Sequence, residues 1–131
     1  MSQQNVEIVR RFYAEPKTEL ALDFYAPDIE WDMTHYADWM DDPVFRGHDG
    51  VRTFMRNWIA SFDKWELTVD RVIDAGDDVI AVVNDMVYVR GSRVPIHRSF
   101  AQIFTFRAGV ITTVRVYSNP DEALEVVGLG E

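Results

Sequence analysis

The chemistry open to this 131-residue chain is narrow. It has no cysteine, which removes disulfides, thiolate nucleophiles, iron–sulfur clusters and cysteine-ligated zinc. Its histidines, His35, His48 and His97, are scattered with no His-x-His pair, so neither a metal nor another cofactor is expected. Phosphate-binding glycine loops and a Gly-x-Ser-x-Gly elbow are also missing from the sequence. What remains is proton transfer, which needs a carboxylate or imidazole within hydrogen-bond reach of the reacting atom. The candidates are Asp32, His35 and Asp42. Alternation along Asp28 to Met33 turns Asp32 away from Trp31 and Met33. His35 keeps the parity of Trp31 and Met33, and is either a group that leans over a pocket mouth on their side, as acid, base or donor, or a loop histidine bonded to backbone. Asp42, next to Asp41 in an acidic loop, is either a base or a solvated turn residue. The one amide of interest is Gln102, set among Phe100, Phe104 and Phe106 on one face of a strand. An amide so placed is either a satisfied core group or the group that orients a ligand oxygen.

The elements that must position these residues follow from periodicity. Val6, Val9 and Tyr13, with Ile8 and Phe12, fall at helical spacing, Asn5 fits an N-cap and Pro16 stops the helix. A second short helix is expected from Thr18 through Leu20, Leu22 and Phe24 to Pro27. Asp28 to Met33 alternates as a strand. Thr34 to Gly47 is irregular yet aromatic, with Tyr36, Trp39 and Phe45, as a segment lying across apolar surface would be. Asp49 then caps a helix whose Val51, Phe54, Met55, Trp58, Ile59 and Phe62 form one stripe. From Trp65 the period becomes two. Strands follow at Trp65 to Val69, Val79 to Arg90, Ile96 to Arg107 and Val110 to Ser118, the last two joined by a tight Ala108-Gly109 hairpin. Asn119-Pro120-Asp121-Glu122 opens a final short helix. The order predicts an α+β fold with a mostly antiparallel sheet.

Twenty-two acidic against thirteen basic residues leave a net charge of −9, which opposes binding to nucleic acid or an anionic membrane. The opening MSQQNVEIVRRFY is not of signal-peptide type, and a cytoplasmic protein is expected. Neither repeats nor a linker interrupt the chain, so residues 1–131 read as one domain.

The segments NVEIVRRFYA, DFYAPDIEWD, VFRGHDGVRTFMRNWIASF and FAQIFTFRAGVITTVRVYSNPDEAL resemble the SnoaL-like branch of the nuclear-transport-factor-2-like superfamily, over nearly the whole chain. The resemblance implies a cone-shaped, strongly curved sheet with N-terminal helices closing an apolar pocket. Its members include ketosteroid isomerase, limonene epoxide hydrolase, polyketide cyclases, dehydratases and proteins that only bind or dimerise, so it implies the fold more narrowly than the function. It places Gln102 where the isomerase keeps its protonated aspartic acid, and a glutamine amide could donate to a carbonyl without a shifted pKa. Phe12 falls on the isomerase's oxyanion tyrosine, with Tyr13 one residue off and expected to face elsewhere. Val116 falls where the hydrolase and the cyclases carry an acid. The position of the isomerase base falls on Met33 counted forward from DFYAPD, and on Asp42 counted back from PVFRG. The hydrolase's Arg-x-Asp pairing is replaced by Asn84-Asp85-Met86.

The expected pocket is lined by Trp31, Met33, Phe54, Trp58 and Met86, and by Tyr88, Phe100, Gln102, Phe104 and Val116, with His35, Tyr36 and Trp39 near its mouth. Such walls suit a small, neutral, hydrophobic, cyclic ligand bearing one oxygen function. Two uses are open: acid–base isomerisation, cyclisation or dehydration of a carbonyl or epoxide compound, with His35 or Asp42 moving the proton and Gln102 polarising the oxygen, or non-catalytic binding or dimerisation. Ala101, Ile103, Ile111 and Tyr117 are expected on the convex face, where so much apolar surface predicts a homodimer through the sheets.

Overall fold

The structure, a computed structural model, describes residues 2–14, 23–37, 39 and 42–128. Helix α1 spans Ser2–Ala14, so Asn5 lies inside it rather than capping it. The short helix expected from Thr18 falls mostly outside the described residues. Its end does not form as expected, because residues 23–24 make a single 3-10 turn and strand β1 (Tyr25–Asp32) begins before Pro27. Proline is tolerated there because the pairing of β1 is irregular between Tyr25 and Glu30. Strand β2 (Val44–Arg46) leads into α2 (Gly47–Ala60). The residue before α2 is Arg46, which gives no side-chain cap. Asp49 lies in the first turn, where its charge suits the helix N-terminus, and pairs with Arg52 at 2.7 Å. Gly50 lets α2 start close to β2, since a Cβ there would meet the Phe45 carbonyl carbon at 3.1 Å.

Four long strands complete the sheet: β3 (Phe62–Ala75), β4 (Asp78–Val89), β5 (Ile96–Arg107) and β6 (Val110–Tyr117). The order is β2-β1-β6-β5-β4-β3, with β1 and β6 parallel and every other pair antiparallel. Ala108 and Gly109 have φ of 54° and 82°, the two positive values that a two-residue hairpin matching strand twist requires. Register shifts at Val69/Arg71 and Thr105/Phe106 bend the strands, and the sheet curls into a cone. Helices α1 and α2 lie against its concave side, packing on β3 and β4 and on β1 and β2. None of the described helices is long and apolar enough to cross a membrane.

The convex side differs from expectation. Helix α3 (Pro120–Val126), capped by the Asn119 side chain accepting from Asp121 N at 3.0 Å, lies across it. Ala123, Leu124 and Val127 cover Ile80, Ala101, Ile103 and Tyr117. Ile111 is not convex at all. The shift at Thr105/Phe106 pairs it with Phe106, and both join the concave core. The apolar surface that argued for a second copy on this face is therefore largely covered by the chain's own C-terminal helix.

Candidate functional site

Cross-strand pairing decides which residues share the concave face. Phe104 pairs with Val79, Gln102 with Ala81, Phe100 with Val83 and Arg98 with Asp85, so all eight point under the helices. Met86 pairs with His97 and Tyr88 with Lys64, one position out of phase, on the outer face. Met86 and Tyr88 are thus removed from the expected pocket, and Asp85 takes their side.

Between the helices and this face lies a cavity of about 40 Å³. Helix α1 contributes Phe12 and Tyr13, and α2 contributes Phe54, Met55 and Trp58. Trp31, Met33 and Tyr36 come from β1 and the turn after it, Trp65 and Leu67 from β3, and Phe100, Gln102 and Val116 from β5 and β6. Trp39 stands behind this wall, against Phe54, Tyr36 and Phe45. Phe104 is fully buried beneath Phe12 and Tyr13 and belongs to the core.

The polar groups in and just behind the cavity wall gather at two places, the second reaching the cavity only through Tyr36 and Trp65. At the first, the Tyr13 hydroxyl donates to Gln102 Oε1. This bond is the only one Gln102's side chain makes with the described residues, and no sealed polar side-chain atom lacks a partner among them, so its amide N–H groups face open space in the cavity. Burial, with a smaller contribution from Tyr25, pushes the Tyr13 pKa well above 10.0 and keeps the phenol neutral. Tyr13 was expected to face elsewhere. Its register with Val6 and Val9 on the helix stripe was the signal that it faces in.

At the second place, Asp85 has a fully buried carboxylate on the sheet. It accepts from Arg98 Nε at 3.0 Å and Nη2 at 2.6 Å, and from Trp65 Nε1 at 2.9 Å. The guanidinium lies over Trp58 and Phe62, 5.1 and 5.3 Å from their ring centres, and Arg98 Nη1 donates to the Tyr36 hydroxyl at 3.3 Å. Burial would lower the Arg98 pKa, but the hydrogen bond to Asp85 and the nearby charges carry it above its ordinary value. Tyr36 is raised, chiefly by burial; Arg98 opposes this and Asp85 adds to it.

The expected proton-transfer residues do not join the cavity. A turn in which Tyr36 N donates to Met33 O ends the strand parity, and His35 stacks instead on Tyr117, with ring centres 4.5 Å apart and planes parallel within 1°. It borders an open groove that shares Met33 and Tyr36 with the cavity wall and runs past Trp39 to Ser118, Asn119 and Glu122. Asp42 is exposed; its Oδ1 accepts from Val44 N at 3.4 Å and its carbonyl from Trp39 Nε1, the bonds of a turn. His48 reaches the Tyr25 carbonyl at 3.1 Å. Among the described residues no cluster of histidine, aspartate or glutamate could hold a metal ion.

Comparison with known proteins agrees with this architecture. TerC, co-crystallised with polyporic acid, superposes with a TM-score of 0.75 at 22% identity, over 95% of this chain and 98% of that one. A nuclear-transport-factor-2-like protein of Burkholderia thailandensis gives 0.74 at 25% identity, over 86% and 88%. A ketosteroid isomerase-like-fold protein of Catenulispora acidiphila, in complex with trimethylamine, gives 0.72 at 20%, over 94% and 93%. None of the curated protein sequences matches significantly. The profile of the SnoaL-like domain matches residues 7–114, and the chain belongs to that family, within the superfamily of nuclear-transport-factor-2-like folds.

Proposed function

We propose that the chain binds a small hydrophobic molecule bearing an oxygen function in the cavity under α1 and α2, with the Gln102 amide donating to that oxygen, and that it does so without turnover. The observation carrying this reading is the composition of the walls. Among the described residues lining the cavity there is neither a carboxylate nor an imidazole, and both titratable ones, Tyr13 and Tyr36, are shifted toward the neutral form. The described lining therefore offers a donor in the Gln102 amide without a base to draw a proton from a carbon acid. The co-crystallised polyporic acid of TerC and the trimethylamine of the Catenulispora protein lend support, since proteins of this fold have been seen with small organic molecules. A cavity of 40 Å³ must widen, because a benzene-sized guest needs about 150 Å³. Met33 and Met55, unbranched thioethers in the wall, are the side chains best able to yield.

Native mass spectrometry of the purified protein identifies the occupant, which is then supplied to variants. The expected result is weaker binding in Gln102→Leu, unchanged binding in His35→Ala and Asp42→Asn, and no consumption of the compound. Consumption abolished by His35→Ala or Asp42→Asn would replace the binding reading with an acid–base enzyme of the isomerase, cyclase or dehydratase kind.

A further inference from the structure

Two polar positions flank Phe100 on the concave face of β5. Gln102 stands on one side of it and Arg98 on the other, four residues apart, which is about 13 Å along a strand. Between them the cavity wall is rings and aliphatic groups. The Gln102 position offers amide N–H groups. The Arg98 position offers something less obvious. Arg98 Nη1 donates to the Tyr36 oxygen and so occupies one of its lone pairs. The guanidinium is itself fixed by two bonds to Asp85 and by the rings of Trp58 and Phe62. A phenol oxygen that accepts from a cation has its own hydrogen turned away from that cation. Tyr36 makes no other side-chain hydrogen bond with the described residues, and it lines the cavity.

We infer that the cavity selects an elongated hydrophobic molecule with an acceptor oxygen at each end, one bound by the Gln102 amide and the other by the hydroxyl of Tyr36, with Arg98 and Asp85 positioning that hydroxyl. This rests on the reading of the cavity as a ligand site. It adds that the ligand has two acceptors across an apolar middle rather than one, and it makes Tyr36 the residue that senses the second. The far end favours an acceptor over a donor, because one lone pair of the Tyr36 oxygen is already taken by the guanidinium while its hydrogen is not engaged by it.

The test uses two rigid probes of one shape: biphenyl with a para acetyl group at one end, and biphenyl with para acetyl groups at both. Dissociation constants are read from tryptophan fluorescence for wild type, Tyr36→Phe and Gln102→Leu, with thermal midpoints to confirm folding. The doubly substituted probe is expected to bind wild type about five-fold more tightly, the worth of one neutral hydrogen bond. Tyr36→Phe is expected to erase that preference. Gln102→Leu should weaken both probes. If both probes bind with equal affinity to wild type, or if the preference survives in Tyr36→Phe, the two-acceptor inference is overturned while the binding reading stands. If neither probe binds wild type, the binding reading falls and the inference with it.

Discussion

The hydroxyl of Tyr13 donates to Oε1 of Gln102, joining the first helix to the middle of β5 across 89 positions of sequence. The bond closes the top of the cavity and gives the glutamine a fixed direction. With its oxygen engaged by the phenol, the amide turns its N–H groups to the space below. The same contact therefore holds α1 down and orients the donor on which the proposed ligand depends.

Tyr13→Phe removes the partner of a buried Gln102 oxygen, and a lost buried hydrogen bond costs about 1–2 kcal/mol. Urea denaturation should show that loss. In a double-mutant cycle with Gln102→Leu the second substitution should cost less in the Tyr13→Phe background than alone. Strict additivity would mean that the two side chains do not interact.

Asp85 and Arg98 form a pair whose carboxylate side chain is 0% exposed and whose guanidinium is 25% exposed. Breaking such a pair from one side strands a buried charge, at a cost of about 3 kcal/mol. Asp85→Asn should show it in equilibrium unfolding, while Asp85→Leu combined with Arg98→Met should recover a large part. If the double variant is as unstable as the sum of the singles, the pair is not the source of the loss.

Alkali should unfold the protein through its buried tyrosines. Tyr13 and Tyr36 have pKa values raised above 10.0 in the fold, mainly by burial, whereas the unfolded chain ionises its tyrosines near the ordinary value. The folded state thus holds its phenol protons more tightly. The stability this confers is complete below the unfolded value of about 10 and is lost as pH rises through the folded values. Denaturation midpoints should be flat below pH of about 9.5 and fall above it, and the fall should be shallower in Tyr36→Phe. A midpoint independent of pH in that range would contradict the burial assigned to these phenols.

Much of the fold was legible because its signals are local. Ile96 to Arg107 was read with both ends as found, the Ala108-Gly109 hairpin followed from its turn residues, and Asn119 from its capping pattern. The site was less legible because it depends on pairing. Val79 to Val83 is apolar on both faces, so alternation cannot choose the inner one, and polarity argues that Asp85 faces water. The register that sets Asp85 opposite Arg98 reverses that choice and carries Met86 and Tyr88 outward with it. His35 was misplaced for the opposite reason: strand parity was extended past Met33, where a turn had already ended it. The cover over Ala101 and Ile103 was invisible because nothing local to α3 says where it docks.

The reversal of β4 makes a sharp prediction about ligand affinity. Met86 and Tyr88 face outward beside His97 and Lys64, so Met86→Ser and Tyr88→Ser should leave binding of the singly acetylated biphenyl unchanged. Phe100 lies on the cavity wall between the two polar positions. Phe100→Leu trims the aromatic surface there, and a loss of contact worth about 1 kcal/mol weakens binding roughly five-fold. Titration of the three variants by tryptophan fluorescence separates the faces. Weakened binding in Met86→Ser with full affinity in Phe100→Leu would put the ligand on the other side of the sheet.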